Sequence, residues 1–196
     1  MSEQLEIEYK NILTEKEFKL LIDYFQLQQS DFFLQENDYF DTVHFSLKNA
    51  NSALRVRKKS NQYTLTLKQP HDVGLLETNE EISKEQYQEL KQNIRFPVGE
   101  IANKLQFLNI DVHDIVYFGT LQTWRAELPY LDGLLVFDHS FYLNKNDFEL
   151  EYEVEDANIG RKQFLDLLNQ FHIPIRKTDN KIVRFYNEKR NISNKI

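Results

Sequence analysis

Five stretches of the chain place ionisable residues at every second position. Glu6, Glu8 and Lys10 are separated by Ile7 and Tyr9, and Arg55 and Arg57 are flanked by Leu54 and Val56. Thr64, Thr66 and Lys68 alternate with Leu65 and Leu67, and Arg125 and Glu127 alternate with Trp124, Ala126 and Leu128. Glu149, Glu151, Glu153 and Glu155 alternate with Phe148, Leu150, Tyr152 and Val154. A period of two is that of a β-strand, whose successive side chains leave opposite faces. For one strand alone, charges facing water explain such a pattern. Here the charges sort by sign into all-Glu and Arg/Lys rows, whereas solvated faces mix them. Four Glu on one strand face repel one another unless cations lie among them. Rows of acids with rows of bases suit a metal–polyphosphate complex. Arg and Lys hold phosphoryl oxygens, and carboxylates hold the hard divalent ion that bridges them.

The elements that position these rows are legible in outline. Strands are predicted near 4–11, 52–59, 62–69, 113–128, 134–142 and 147–155, and residues 37–48 contain an aromatic strand, Tyr39-Phe40-Asp41. Polar turns fall at Lys59-Ser60-Asn61, Leu131-Asp132-Gly133 and Asn144-Lys145-Asn146. Thr14-Glu15-Lys16-Glu17 and Ser83-Lys84-Glu85-Gln86 read as capping boxes. The first opens a helix with Phe18, Leu21, Ile22 and Phe25 on its apolar face, the second one with Tyr87, Leu90 and Ile94. Further amphipathic stretches lie near 98–109 and 159–171, and a last helix starts near Thr178. Many strands with few βαβ crossovers imply an antiparallel sheet or barrel with the helices packed on its apolar face.

Composition excludes much else. The 196 residues suit one domain, taken as 1–190 with a polar tail at 191–196. A net charge of −7 argues against a nucleic-acid partner. No apolar run approaches the roughly 18 residues of a membrane span, and the polar start is unlike a signal peptide, so a cytoplasmic location without membrane association is expected. The chain contains no cysteine, which removes thiolate ligands and nucleophiles. His44, His71, His113, His139 and His172 lack metal-ligand spacing, and no GxxxxGK[ST], GxGxxG or GxSxG motif occurs. With 5 glycines in all, phosphate must be held by side chains rather than by a glycine-rich backbone nest.

The order of the motifs carries a resemblance. Glu6-x-Glu8-x-Lys10, Tyr39-Phe40-Asp41, Leu54-Arg55-Val56-Arg57, Leu65-Thr66-Leu67-Lys68, the acids Glu77, Glu80 and Glu81, Trp124-Arg125, Asp138, Glu149-x-Glu151-x-Glu153 and Lys181 follow one another as in the CYTH, or triphosphate tunnel, family, which the chain resembles from residue 6 to about 186. The resemblance implies an α+β fold with an eight-stranded antiparallel barrel, peripheral helices and a tunnel that binds a triphosphate with Mg²⁺ or Mn²⁺. Carried over, Lys10, Arg55, Arg57, Lys68, Arg125 and Lys181 clamp phosphoryl oxygens. Metal ligands come from Glu6, Glu8, Glu151 and either Glu153 or Glu149, joined by Asp138 and by Glu80 or Glu81. Glu6, Glu8, Lys10, Lys68, Glu151 and Glu153 form the catalytic set, and Tyr39 or Trp124 is available to stack on an organic substrate. The implied activity is hydrolysis of a small-molecule triphosphate by a monomer or homodimer. Inorganic triphosphate is the first expectation and thiamine or nucleoside triphosphate the next, with adenylate cyclisation or ligand sensing as alternatives.

Overall fold

The computed structural model describes residues 1–59 and 61–193. Its strands are β1 (Ser2–Leu13), β2 (Phe33–Thr42), β3 (Ala53–Lys59), β4 (Gln62–His71), β5 (Gly74–Ile82), β6 (Ile115–Tyr130), β7 (Gly133–Tyr142) and β8 (Lys145–Val154). Its helices are α1 (Glu15–Tyr24), α2 (Ser46–Asn49), α3 (Lys84–Lys91), α4 (Glu100–Phe107), α5 (Ala157–Gln170) and α6 (Lys181–Ser193). The strands are hydrogen-bonded in the order β1-β5-β4-β3-β2-β6-β7-β8, and the sheet closes into a barrel. No helix among the described residues is long and apolar enough to cross a membrane.

The chain forms two compact units, residues 1–5 with 35–121 and residues 6–34 with 122–196. In the first, the apolar halves of the strands (Phe40, Leu54, Val56, Leu65, Leu67) pack with Leu90 of α3 and Ile101 and Leu105 of α4. In the second, Ala126, Leu135, Phe137, Leu150 and Tyr152 pack with Phe18 and Leu21 of α1 and Phe164, Leu167 and Leu168 of α5. Period two on the strands thus meets period 3.6 on the helices, and burial of the apolar halves drives the pairing. The charged rows are left on the face that these helices do not cover.

Both capping boxes form. Thr14 accepts from the Glu17 N–H while Glu17 returns to Thr14, and Ser83 and Gln86 do the same. The aromatic strand expected at Tyr39-Phe40-Asp41 forms the end of β2, which starts earlier, at Phe33, and stops at Thr42. There Asp41, fully buried, accepts from the N–H groups of Leu47 and Lys48 and so starts α2, with Phe45 turned into a left-handed conformation at φ 58°. An eighth strand, β5, has no counterpart in the alternation pattern. Ser60, in the expected turn before β4, lies outside the described residues, as do 194–196 of the tail; α6 runs on to Ser193.

Candidate functional site

The first unit carries a cationic row. Register places Arg55 opposite both Tyr39 and Thr66, Arg57 opposite Asn37 and Thr64, and Lys68 opposite Glu77. Arg55 and Lys68 converge on Glu77, at 3.5 and 2.5 Å, and Arg57 donates to the Asn37 amide oxygen at 3.1 Å. Burial works against the charge of Glu77, but Lys68 and Arg55 prevail and hold its carboxyl down at about 2. Two cations thus share one carboxylate.

The second unit carries the acid row. Pairing of β1, β8, β7 and β6 lines up three layers on the face away from α1 and α5. Arg125 sits opposite Asp138 and Asp138 opposite Glu149; Lys10 sits opposite Glu151; Glu8 sits opposite Glu153. Asp138 and Glu149 are 0% exposed and Glu151 is 5% exposed, so the solvated-face explanation fails for this row. In the first layer Arg125 grips Asp138 bidentately at 2.8 and 2.6 Å and reaches Glu151 at 2.9 Å. Lys181, the first residue of α6, places its ammonium on Asp138, Glu149 and Glu151 at 2.8, 2.9 and 2.6 Å. Lys10 pairs with Glu8 and donates to Asn180 at 2.5 Å. Against burial, Lys181 and Arg125 hold the Glu151 carboxyl well below the usual carboxylate range, whereas burial and Glu151 push Glu149 up to about 7 despite Lys181 and Arg184. The outer layer is an acid corner at Glu153, which feels Glu6 and Glu8 as well as Glu151. Gly133 lets the start of β7 lie close against β8: a Cβ there would stand 2.4 Å from the Glu153 carbonyl oxygen.

A CYTH domain model matches residues 4–186. The chain belongs to the CYTH family. It is 50% identical over 192 residues to the Bacillus subtilis protein named "Putative triphosphatase YjbK", covering 97% of this chain and 98% of that one. A crystal structure from Bacillus halodurans described as a "putative adenylate cyclase" superposes with a TM-score of 0.91 at 41% identity, over 95% of this chain and 100% of that one. HpAC1 from Hippeastrum, for which a dominant triphosphatase activity is described, shares the fold at TM-score 0.74 and 23% identity, over 94% and 96% of the two chains.

Most of the residues singled out by the CYTH motifs fall into these two rows. Glu80 does not. It sits opposite Leu65, on the helix-covered face of β5, and accepts from the Ile101 N–H at the start of α4. Its carboxylate packs so closely on Gly99 that a Cβ there would lie 2.4 Å away. Glu80 is a helix cap, and the in-phase acids of β5 are Glu77 and Glu81. Trp124, opposite His139, points away from Arg125, whereas Tyr39 shares the face of Arg55. The sequence reading missed Arg184 and Asp147. Arg184 Nε lies 3.0 Å from Asp147, and its Nη2 also contacts Glu149. Asp147 is in phase with the Glu row and Arg184 follows Lys181 by three residues on one helix face, so both signals were present.

The divalent metal that the CYTH family implies finds suitable donors. Glu8 directly opposite Glu153 is a like-charge cross-strand pair, unfavourable by itself, and all its ligands are hard oxygens. Among the described residues no three acidic or histidine side chains converge to hold an ion unaided. Phosphoryl oxygens would have to complete the coordination sphere.

Burial first, then Glu151, Glu6 and Glu8, push the Glu153 carboxyl up to about 7 against the pull of Arg125. A carboxyl raised on folding binds its proton more tightly in the folded state, so stability should rise as pH falls from about 8 towards 4.5. Glu77, held at about 2, acts in the opposite sense only below about 4.5. In EDTA, the melting temperature should rise between pH 8 and 5.5, with Glu153 contributing about 1–3 kcal/mol. Glu149, which burial likewise pushes up to about 7, adds to the rise in the same sense. Glu153→Gln should therefore reduce the rise without abolishing it; an unchanged slope would place Glu153 in solvent.

Proposed function

We propose that the protein is a metal-dependent triphosphatase that releases the terminal phosphate of a triphosphate, with inorganic triphosphate as its first substrate. One observation carries this reading: buried carboxylates and buried cations are sorted into layers that end in an acid corner, where Glu8 stands opposite Glu153 and Glu6 adds its charge. Following the CYTH motifs, Lys10, Arg55, Arg57, Lys68, Arg125 and Lys181 take the phosphoryl oxygens. Glu6, Glu8 and Glu153 are the metal ligands, with Glu151 beside them. Glu149 and Asp138, held by Lys181, Arg125 and Arg184, set the positions of those cations. The reading takes Glu153 rather than Glu149 as the ligand, because Glu149 is engaged by Lys181 and Arg184.

Phosphoryl transfer asks for positioning and charge stabilisation more than for covalent chemistry. The guanidinium groups and ammonium groups orient the phosphoryl chain and take up the charge that develops on the leaving pyrophosphate. Bound Mg²⁺ or Mn²⁺ supplies neutralisation of the phosphoryl oxygens and a site for the attacking water. The 50% identity to a protein named for triphosphatase activity supports the reading. The cyclase name of the 41% identical structure supplies the competing one.

Incubation with tripolyphosphate and Mg²⁺ or Mn²⁺ should yield one orthophosphate and one pyrophosphate per turnover, and EDTA should abolish it. Activity that persists in EDTA would remove the metal from the reading. Cyclic AMP and pyrophosphate from ATP as the main products would make the protein a cyclase, and tight binding without product would make it a sensor.

A further inference from the structure

Lys181 is the first residue of α6, where the helix dipole disfavours a cation, and its stem is flexible. Three carboxylates offset this as long as the ammonium remains on them. A phosphoryl group that draws Lys181 away would leave a cation on a helix end free to fray. Something else must hold that end of α6 in register.

One turn along, the Arg184 guanidinium is spent on protein oxygens. Nε and Nη2 donate to the two Asp147 carboxylate oxygens at 3.0 and 3.2 Å, Nη1 donates to the Asp179 carbonyl at 2.6 Å, and Nη2 also faces Glu149. No nitrogen of this fork can turn to a ligand without breaking a bond to the fold. Asp147 is itself held by the Tyr142 hydroxyl at 2.7 Å, and the Tyr142 ring meets Phe185 of α6 edge-on at 5.9 Å. Lys145 and Glu188 close the same seam at 2.5 Å. The end of the β7–β8 hairpin thus grips α6 at three points, and the Arg184–Asp147 pair lies one turn from Lys181.

We propose that Arg184 and Asp147 are positioning residues that fix α6 on the β7–β8 hairpin and thereby hold the Lys181 ammonium where a phosphoryl oxygen can take it. The proposal rests on the reading of Lys181 as a phosphoryl-binding residue. Neither Arg184 nor Asp147 touches substrate; both act through Lys181.

The test is a double-mutant cycle on tripolyphosphate binding, measured by calorimetry in EDTA, with kcat and KM in Mg²⁺ alongside. Asp147→Asn should weaken binding about tenfold in the wild-type background and by less than about twofold in Lys181→Ala, because the intermediary is gone. KM should rise more than kcat falls. Arg184→Lys, which keeps the charge but loses the fork, should give an intermediate loss and serves if Asp147→Asn does not fold. Equal losses in both backgrounds, or no loss in Asp147→Asn, would overturn the proposal. If the wild type neither binds nor hydrolyses tripolyphosphate, the triphosphatase reading falls, and amide hydrogen exchange decides the clamp by itself. Faster exchange over residues 181–186 in Asp147→Asn supports it, and unchanged exchange rejects it.

Discussion

Glu8→Gln should cut Mg²⁺-dependent turnover by about a hundredfold or more while leaving the metal-free protein as stable as the wild type to within about 1 kcal/mol. The two halves of this expectation have different causes. Glu8 stands directly opposite Glu153, so removing its charge relieves a like-charge pair. It also pairs with Lys10, and losing that contact offsets the relief. Lys10 keeps its bond to Asn180 and its attraction to Glu151, so the offset is small. Activity has no such compensation, because glutamine cannot neutralise a divalent ion. The measurement is paired: melting temperature in EDTA and turnover in Mg²⁺. Glu80→Ala supplies the contrast. Losing the cap of α4 should cost about 0.5–2 kcal/mol of stability with turnover close to wild type. Near-normal turnover in Glu8→Gln would remove the ExExK motif from the site; a collapse of turnover in a folded Glu80→Ala would return Glu80 to it.

How far the chain could be read depended on whether local pattern and tertiary role agreed. The Glu row of β8 and the Arg pair of β3 alternate cleanly because one face of each strand packs on apolar helix faces and the other carries the charges. Thr14 and Ser83 were legible because a capping box is a four-residue event. β5 was not, because Glu80 takes a helix-facing position and breaks the alternation of Gly74–Ile82 in order to cap a helix some twenty residues later. α2 escaped for a similar reason: its start is fixed by Asp41, whose neighbours Tyr39 and Phe40 read as continuing strand. Within the site, residue type and phase gave the two rows, but not the division of labour along β8. That division depends on which cation faces which carboxylate, and Lys181 and Arg184 come from a helix some thirty residues downstream. Period-two counting cannot supply such a partner.

The largest stability effect is expected at Arg125. Its guanidinium closes a bidentate pair with Asp138 and a third contact with Glu151, and Asp138 is 0% exposed. Burial opposes charge on all three, yet Asp138 and Glu151 hold the guanidinium protonated well above its usual range, and Arg125 with Lys181 holds Glu151 ionised. Breaking a buried pair by removing one partner leaves an uncompensated charge, typically at a cost of about 3–5 kcal/mol. Arg125→Met should therefore lower the melting temperature by about 6–20 °C, given about 2–4 °C per kcal/mol for a chain of this size. Arg125→Lys should recover part of that loss, since it restores a charge but not the fork that spans Asp138 and Glu151. Mg²⁺ should stabilise Arg125→Met more than it stabilises the wild type, because a divalent ion can then neutralise carboxylates that Arg125 no longer serves. Turnover should stay low even so, for the phosphoryl chain has lost a donor that the ion cannot replace. Thermal melts of the three proteins with and without Mg²⁺ decide the matter. A methionine variant that melts with the wild type in EDTA would mean that Asp138 and Glu151 relax into water once Arg125 is gone, and the buried cluster would lose its claim to order the site.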